Sequence, residues 1–461
     1  MKITVINPPI LFYGLDQTIF HNAGVIYLLG ALADKKVGDI QFIDAPIPKT
    51  IEFVREVSLG LRIEHLFRRG ISDDEIIERC KGSDVVMMSI PFTISSQYHL
   101  ELMKEIKEVT GAHTVVGGMH PTALPEECLK YVDTVVTGEA EGAIPECLHK
   151  NGIIKGPVVD VNTVRAGWEF VDFDGYKETV AYSIAANGRR WAPLITSRGC
   201  PRSCVFCSIN ITMGRQWRAR TVEHVIAEIE KLVNMGVTLF LIDDDNFTAN
   251  MDRAKKILRV IIDKGWKIEL HCPNGIRLDR IDRELLTLMK QAGFIRISIS
   301  PESGSQRVLD ECIKKGFKLT DIMNAINLIQ ELGFEMDCFL VIGTIGETQL
   351  EMFQTFKFAH MLRERKIRST ISIATPYPMT QLWKEAKAKG YMADNVPCEL
   401  FFHNCALLST PEFTAGAINV LKFIGDCVLF GRFGVIYKGV KYSVMTLVDD
   451  VLSGKVAWDI R

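Results

Sequence analysis

Short runs rich in β-branched residues alternate with amphipathic stretches along most of the chain, which restricts it to βα units built on parallel sheets. Strands are expected at Lys2–Asn7, Ile40–Asp44, Asp84–Ile90, Thr114–Gly117 and Thr134–Thr137. Between them lie helices such as Tyr98–Glu108, whose apolar residues recur at helical spacing. Such a series suits one doubly wound domain over residues 1–150. Over 151–190 the periodicity fades, and Gly152, Gly156, Pro157, Gly167 and Gly175 supply the turn signals of a linker. A second series has strands at Leu194–Arg198, Thr238–Asp243, Ile268–Cys272, Ile295–Ser300, Glu335–Ile342 and Thr370–Ala374. It suits a barrel over 191–385. Residues 386–461 are mixed, with an apolar helix near Ile418–Phe430. The expected class is α/β: an N-terminal doubly wound, Rossmann-like domain, a partial (β/α)6 barrel and a small mixed C-terminal region.

Charge narrows the choice of partner. Lys and Arg total 54 and Asp and Glu total 56, a net charge of −2, so a broad electrostatic grip on nucleic acid or an anionic membrane is not expected. No apolar run reaches the ~20 residues of a membrane span. The N-terminal Met1–Pro9 reads as a strand rather than a signal peptide, so a cytoplasmic location is expected. The chain has 12 cysteines, and a reducing cytosol disfavours disulfides. Most stand singly in apolar surroundings, as small buried hydrophobes do.

Three do not. Gly199-Cys200-Pro201-Arg202-Ser203-Cys204-Val205-Phe206-Cys207 sets three thiols at C-x3-C-x2-C on one loop directly after a strand. Soft thiolates select zinc or iron–sulfur clusters. Structural zinc wants four ligands, which a distant His or Cys would have to complete. A four-iron cluster on three cysteines keeps one iron open for a small molecule.

This spacing, with an aromatic before the third cysteine, resembles the radical S-adenosylmethionine (SAM) superfamily. The resemblance extends to Leu241-Ile242-Asp243-Asp244-Asp245-Asn246, Asn274-Gly275-Ile276-Arg277, Ser300-Pro301-Glu302-Ser303-Gly304, Val341-Ile342-Gly343-Thr344-Ile345-Gly346-Glu347 and Pro376-Tyr377-Pro378-Met379, where Met379 stands in place of a usual Gly. It implies a [4Fe-4S] cluster on Cys200, Cys204 and Cys207. It also implies SAM contacts from Phe206, Asp243, Asp244, Ser300, Glu302, Ile342, Gly343 and Tyr377. Asp243 and Asp244 would meet its amino group, and Glu302 its ribose or amino-acid part. Each segment alone has a plainer reading, such as a helix cap or a turn. Together they fall in order at strand C-termini, where barrel sites lie.

The first domain decorates its own strand ends with Asn7-Pro8-Pro9, Ser89-Ile90-Pro91-Phe92-Thr93, Gly117-Gly118-Met119-His120-Pro121-Thr122 and Gly138-Glu139-Ala140-Glu141. Open sheets bind ligands there. No G-x-G-x-x-G or Walker motif is present. Upstream of a cysteine-loop barrel, these strings resemble the cobalamin-binding branch of radical SAM enzymes. Pro8, Ser89, Phe92, Thr93, Gly117, Gly118, His120, Thr122, Gly138, Glu139 and Glu141 would then hold cobalamin. His21, Tyr13 or no protein group could stand below cobalt; Ile19 occupies the Asp position of the usual Asp-x-His-x-x-Gly string.

The resemblance implies a C-methyltransferase. One SAM methylates reduced cobalamin, and a second gives a 5′-deoxyadenosyl radical that takes hydrogen from an unactivated substrate carbon, which then receives the methyl group. Cyclisation or rearrangement without methyl transfer is the alternative. Implied partners are a reductant such as flavodoxin or ferredoxin and a substrate that is a small molecule, lipid, peptide or protein.

Overall fold

The computed structural model describes all residues except 14–18, 20, 48–49, 60–61, 182–183, 432–434, 438–439 and 459–461. The first domain carries a six-stranded parallel sheet in the order Asp39–Asp44, Lys2–Asn7, Val85–Ser89, His113–Gly117, Thr134–Gly138, Gly152–Gly156. Helix Ala23–Lys35 covers one face, packing Val25, Leu29 and Leu32 on Ile3 and Val5. Helices Asp73–Cys80 and Ser96–Thr110 cover the other, packing Ile76, Leu100 and Met103 on Ile6, Val86 and Met88. The strand order reverses between Lys2–Asn7 and Val85–Ser89, which opens a crevice beyond Asn7 and Ser89.

Two parts of this domain differ from the sequence reading. The sheet runs past residue 150, because Gly152–Gly156 pairs with Thr134–Gly138 as a sixth strand. Glycines at both its ends gave it the look of a turn. Between the second strand and helix Asp73–Cys80 the chain also builds a hairpin, Ile51–Leu59 and Arg62–Arg69, paired with Ile10–Tyr13. It reaches the C-terminal region: the Tyr13 hydroxyl donates to the Glu399 carbonyl at 2.7 Å, and Arg55 pairs with Glu399.

In the second domain Arg190–Leu194, Val237–Ile242 and Glu269–His271 form one parallel sheet, and Arg296–Glu302, Glu335–Ile342 and Arg368–Ile373 another. A bridge between Leu270 and Phe294 joins them into one open six-strand arc. Helices such as Val222–Asn234, Met251–Lys264 and Arg283–Ala292 pack their apolar stripes on its outside, in the largest core of the molecule. The first barrel strand ends at Leu194, not Arg198. Thr196 and Ser197 turn away, and Ser197–Arg198 pairs antiparallel with Arg218–Ala219. In the tail, helix Ala415–Phe430 packs on helix Gln349–Glu364 and strand Arg368–Ile373. Among the described residues no helix is long and apolar enough to cross a membrane.

The linker docks closely on the first domain. Gly167 N–H donates to the Ile26 carbonyl at 2.8 Å, and a Cβ on Gly30 would lie 2.1 Å from the Arg165 carbonyl oxygen. Gly30→Ala should therefore destabilise the protein by about 1–3 kcal/mol, although alanine is the better helix former. Calorimetry should show this as a lower melting temperature; an unchanged or raised one would disprove the close approach.

Candidate active site

Buried carboxylates shape the cysteine loop. Asp244, just past the second barrel strand, is 2% exposed and accepts from both the backbone N–H and the hydroxyl of Thr196 and of Ser197. These bonds bend the chain off the first strand. Asp245 accepts from Gly199 N–H at 2.7 Å, and burial raises its carboxyl pKa to about 6. Gly199 has φ +86°, and a Cβ there would lie 2.3 Å from the Gln216 carbonyl oxygen. The loop closes with Cys207 N–H to the Cys204 carbonyl at 3.1 Å and is braced by Val205 N–H to the Ile313 carbonyl at 3.3 Å.

Cys200, Cys204 and Cys207 are each half-buried, and burial pushes all three thiols up, Cys207 to about 11. Asn246 donates weakly to Cys200 Sγ at 3.9 Å. The half-buried cation near them is Lys315, which opposes part of that rise at Cys200 and Cys204 and pairs with Glu302 at 2.5 Å. Among the described residues no three His, Cys, Asp or Glu side chains converge on one metal ion. Thiolates that ligate separate irons of a cluster need no such convergence.

The other barrel residues named from sequence ring the same strand ends. Asp243 is half-buried and accepts from Asn274 Nδ2 at 2.9 Å. Ser300 is half-buried on the fourth strand, and Glu302 ends that strand at φ +68° after a register shift. Ile342 is fully buried at the end of the fifth strand. Gly343 follows at φ +83°, its N–H donating to Glu347 Oε2 at 2.7 Å. Phe206 packs against Val308, Cys312 and Ile313. Burial raises the Tyr377 hydroxyl to about 12. Met379, where glycine is usual, holds the glycine-like φ of +66°, so the turn keeps its shape.

The structure assigns Asp244 a different task from the one read in sequence. Its carboxylate is taken up by Thr196 and Ser197, while Asp243 is half-buried and bonded to Asn274.

The first domain gathers its loops around Ile90. Ile90 N–H donates to the Gly117 carbonyl at 2.8 Å, and His120 N–H to the Ile90 carbonyl at 3.2 Å. Thr122 Oγ1 donates to the Gly118 carbonyl and accepts from Gly138 N–H. Gly118 has φ +110°, and a Cβ there would lie 2.8 Å from the Ile90 carbonyl oxygen. His120 is 1% exposed; Nδ1 meets Thr93 Oγ1 at 3.3 Å while Nε2 has no partner, and burial lowers its pKa to about 4. Ser89, Thr93, Gly117, Gly118 and Gly138 are half-buried, Phe92 is exposed, and Pro8 is buried.

Glu139 and Glu141 point elsewhere. They pair with Arg198 and Arg218 of the second domain, contrary to the expectation that they meet a ligand of the first. His21 stacks on Tyr176 with ring centroids 3.6 Å apart and its edge to Trp191, and burial lowers its pKa to about 3. Tyr13 lies against Phe402 and the tail. His21 is held in these ring contacts, and Tyr13 packs with Ile94 and the tail beside the Thr93–Ser95 turn. Nothing in the sequence signals the roles of Arg198, Arg218 and Lys315, although Arg198 directly precedes Gly199-Cys200.

The two loop sets abut. The short helix Ile209–Thr212, just past Cys207, packs on Met119–Ala123 of the first domain.

The Radical SAM superfamily matches residues 194–359, and the B12 binding domain matches residues 16–148. The chain is 30% identical over 388 residues to the cytidylyl-2-hydroxyethylphosphonate methyltransferase of Streptomyces wedmorensis, covering 71% of this chain and 72% of that one. It is 25% identical over 398 residues to the anaerobic magnesium-protoporphyrin IX monomethyl ester cyclase of Cereibacter sphaeroides, covering 79% of this chain and 60% of that one. Its fold is similar to the radical SAM methyltransferase TsrM of Kitasatospora setae, solved with cobalamin and a [4Fe-4S] cluster, with a TM-score of 0.61, 17% identity, and 86% of this chain and 79% of that one covered. With both domains matched in order, and a methyltransferase related over most of its length, the chain belongs to the cobalamin-dependent radical SAM methyltransferase family.

Proposed function

We propose that the chain methylates an unactivated carbon of a small molecule, lipid, peptide or protein, with the cysteine loop and the Ile90 loops holding its cofactors side by side. The contact between Ile209–Thr212 and Met119–Ala123 carries this reading, because it brings the two loop sets to one place.

The donor sets fit the cofactors. Three half-buried thiols on one loop, with no fourth Cys or His gathered to them among the described residues, suit a cluster with one open iron. The unpartnered Nε2 of buried His120 suits an amide of the corrin rim. When bound, the cluster with SAM supplies a carbon-centred radical and the cobalamin supplies a methyl group.

The remaining work is positioning. Cys200, Cys204 and Cys207 hold the cluster. Asp243 accepts from the SAM amine, and Glu302, fixed by Lys315, accepts from its hydroxyls or amine. Phe206, Ile342 and Gly343 pack against the adenine, with Ser300 and Tyr377 lining the same end. Asp244 holds the loop that presents the cysteines. Pro8, Ser89, Phe92, Thr93, Gly117, Thr122 and Gly138 line the corrin crevice with His120 and Gly118. Each turnover would consume two SAM and two electrons: one SAM would leave as S-adenosylhomocysteine, the other as methionine and 5′-deoxyadenosine after taking one electron, and the second electron would return cobalamin to its methyl-accepting state. A flavodoxin or ferredoxin of a reducing cytoplasm supplies both electrons. The similarity to a cyclase favours ring formation as the second reading.

Anaerobically reconstituted protein should carry about four irons and four sulfides. Cys200→Ala, Cys204→Ala or Cys207→Ala should each abolish the cluster and SAM cleavage, while Cys128→Ala, in the core of the first domain, should not. Stoichiometric zinc without labile sulfide would rule the cluster out.

Asp243→Asn and Asp244→Asn should separate. The first should slow 5′-deoxyadenosine formation by about tenfold or more at an unchanged melting temperature. The second loses charge-assisted bonds worth about 1.5–3 kcal/mol and should melt several degrees lower. Equal melting temperatures would contradict the division of labour. With methyl-labelled SAM and a turning-over substrate, methylation requires label on the product and both nucleoside products; 5′-deoxyadenosine alone selects the cyclase reading.

A further inference from the structure

Four charged side chains bury themselves where the two domains meet. Glu139 Oε1 accepts from Arg198 Nη1 at 3.0 Å and from Arg218 Nη2 at 2.8 Å, and its Oε2 accepts from Arg218 Nη1 and from Val159 N–H. Glu141 Oε1 accepts from Arg198 Nη2 at 2.6 Å. The Arg198 guanidinium also lies over the Tyr27 ring, 5.1 Å from its centroid. The Glu139 and Arg198 side chains are only 3% and 6% exposed. Two carboxylates face two guanidiniums, so the cluster is neutral as a whole. Accordingly the Glu139 carboxyl is held below its ordinary pKa and the Arg198 guanidinium above its own, against burial, by these mutual contacts.

A buried ion network is an inefficient way to join two domains, since well-packed apolar residues of the same volume commonly do as well or better. Its particular property is direction: a carboxylate shared by two planar guanidiniums admits one relative placement of all three groups. The places it ties are specific. Glu139 directly follows Gly138, the last residue of a strand whose loop closes on Thr122 of the crevice. Arg198 directly precedes Gly199 and Cys200 and pairs in register with Arg218. The network therefore ends one residue from Gly138 at the edge of the corrin crevice and two residues from Cys200.

We propose that Glu139, Glu141, Arg198 and Arg218 form a positioning clasp that fixes the separation of cobalamin from the cluster-bound SAM. This rests on the cofactor placement argued above. The methyl group of SAM and the cobalt must meet at one geometry, and misplacement of about 1 Å costs on the order of 100-fold. The four residues touch neither cofactor and act through the loops they join.

The test uses full-length protein loaded with cluster and cobalamin, and it needs no substrate. In dithionite-reduced protein the reduced cluster and Co(II) are both paramagnetic, and pulsed electron resonance reads their separation. Wild type should give one narrow coupling. E139Q and R198K should broaden it and slow the appearance of SAM-derived methyl label on the corrin by about tenfold or more, with iron and cobalamin contents retained. R198K keeps the charge and loses the fork, so its defect separates geometry from charge. E141Q removes one bond's charge and should act in the same direction; if E139Q does not fold, E141Q decides. D34N breaks the exposed ion pair with Arg165 that also links first domain and linker, and should leave both readouts at wild-type values. Wild-type coupling and methylation in E139Q, R198K and E141Q would overturn the clasp. So would losses of iron or cobalamin as large as the loss of methylation, which would mark a structural role only. A wild-type protein that retains no cobalamin or cluster would instead overturn the cofactor placement.

Discussion

Asp244 accepts its bonds from Thr196 and Ser197 at the point where the first barrel strand would otherwise run on, and the shape of the site follows from that bend. A fully buried carboxylate is costly without donors. Here the nearest donors are the backbone and hydroxyls of the chain leaving the neighbouring strand, and satisfying the charge pulls that chain aside. The deflected residues then pair with Arg218–Ala219, which sets Gly199 against the Gln216 carbonyl and starts the cysteine loop. Asp245 repeats the device one residue on, receiving Gly199 N–H. Neither acid needs to touch a ligand to determine where the three thiols stand.

The first domain obeys a different constraint. Its strand order reverses beside Lys2–Asn7, so the two neighbouring βα connections leave on opposite faces and a crevice remains above the sheet. The Ser89–Thr93 and Gly117–Thr122 loops close on each other through Ile90. From the tail, the Cys398 thiol donates to the Ile94 carbonyl at 3.8 Å, while Ile373 N–H donates to the His403 carbonyl at 2.7 Å. The segment between them thus straps the end of a barrel strand to the loops of the first domain. The sheet that supplies one wall of the interface and the barrel that supplies another are joined on two sides, by this strap and by the buried arginine–glutamate cluster.

Much of this was legible. The strand Glu335–Ile342 and helix Val222–Asn234 stand where their periodicity puts them, because each packs an apolar stripe on a core without competing demands. The cysteine loop was legible because thiols at that spacing have few other uses. What failed was long-range. Leu194–Arg198 reads as strand by composition, and only the Asp244 side chain, 48 residues from Thr196, breaks it. Glu139 and Glu141 sit in a loop that reads as ligand-facing, and only Arg198 and Arg218 turn them away. The strands Ile51–Leu59 and Arg62–Arg69 have their alternation on view, but they carry charge between apolar residues, several of which, such as Phe53 and Ile63, stand exposed rather than in a core.

Two residues at the barrel's strand ends hold conformations that side chains usually avoid. Glu302 at φ +68° and Met379 at φ +66° each carry strain of about 1–3 kcal/mol, and such strain persists only where the surroundings over-determine it. For Glu302 the surroundings are the register shift that ends its strand and the half-buried Lys315 ammonium that grips its carboxylate. For Met379 they are the bonds of Thr380 back to the Tyr377 carbonyl, from its N–H at 3.1 Å and its hydroxyl at 2.7 Å. A relaxed φ at residue 302 would move the carboxylate off Lys315 and break the pair. The backbone there is therefore held by the ion pair. Lys315 in turn lies close enough to Cys200 and Cys204 to oppose part of the rise that burial gives their thiols, so one half-buried cation acts on both a strand-end carboxylate and the cysteine loop.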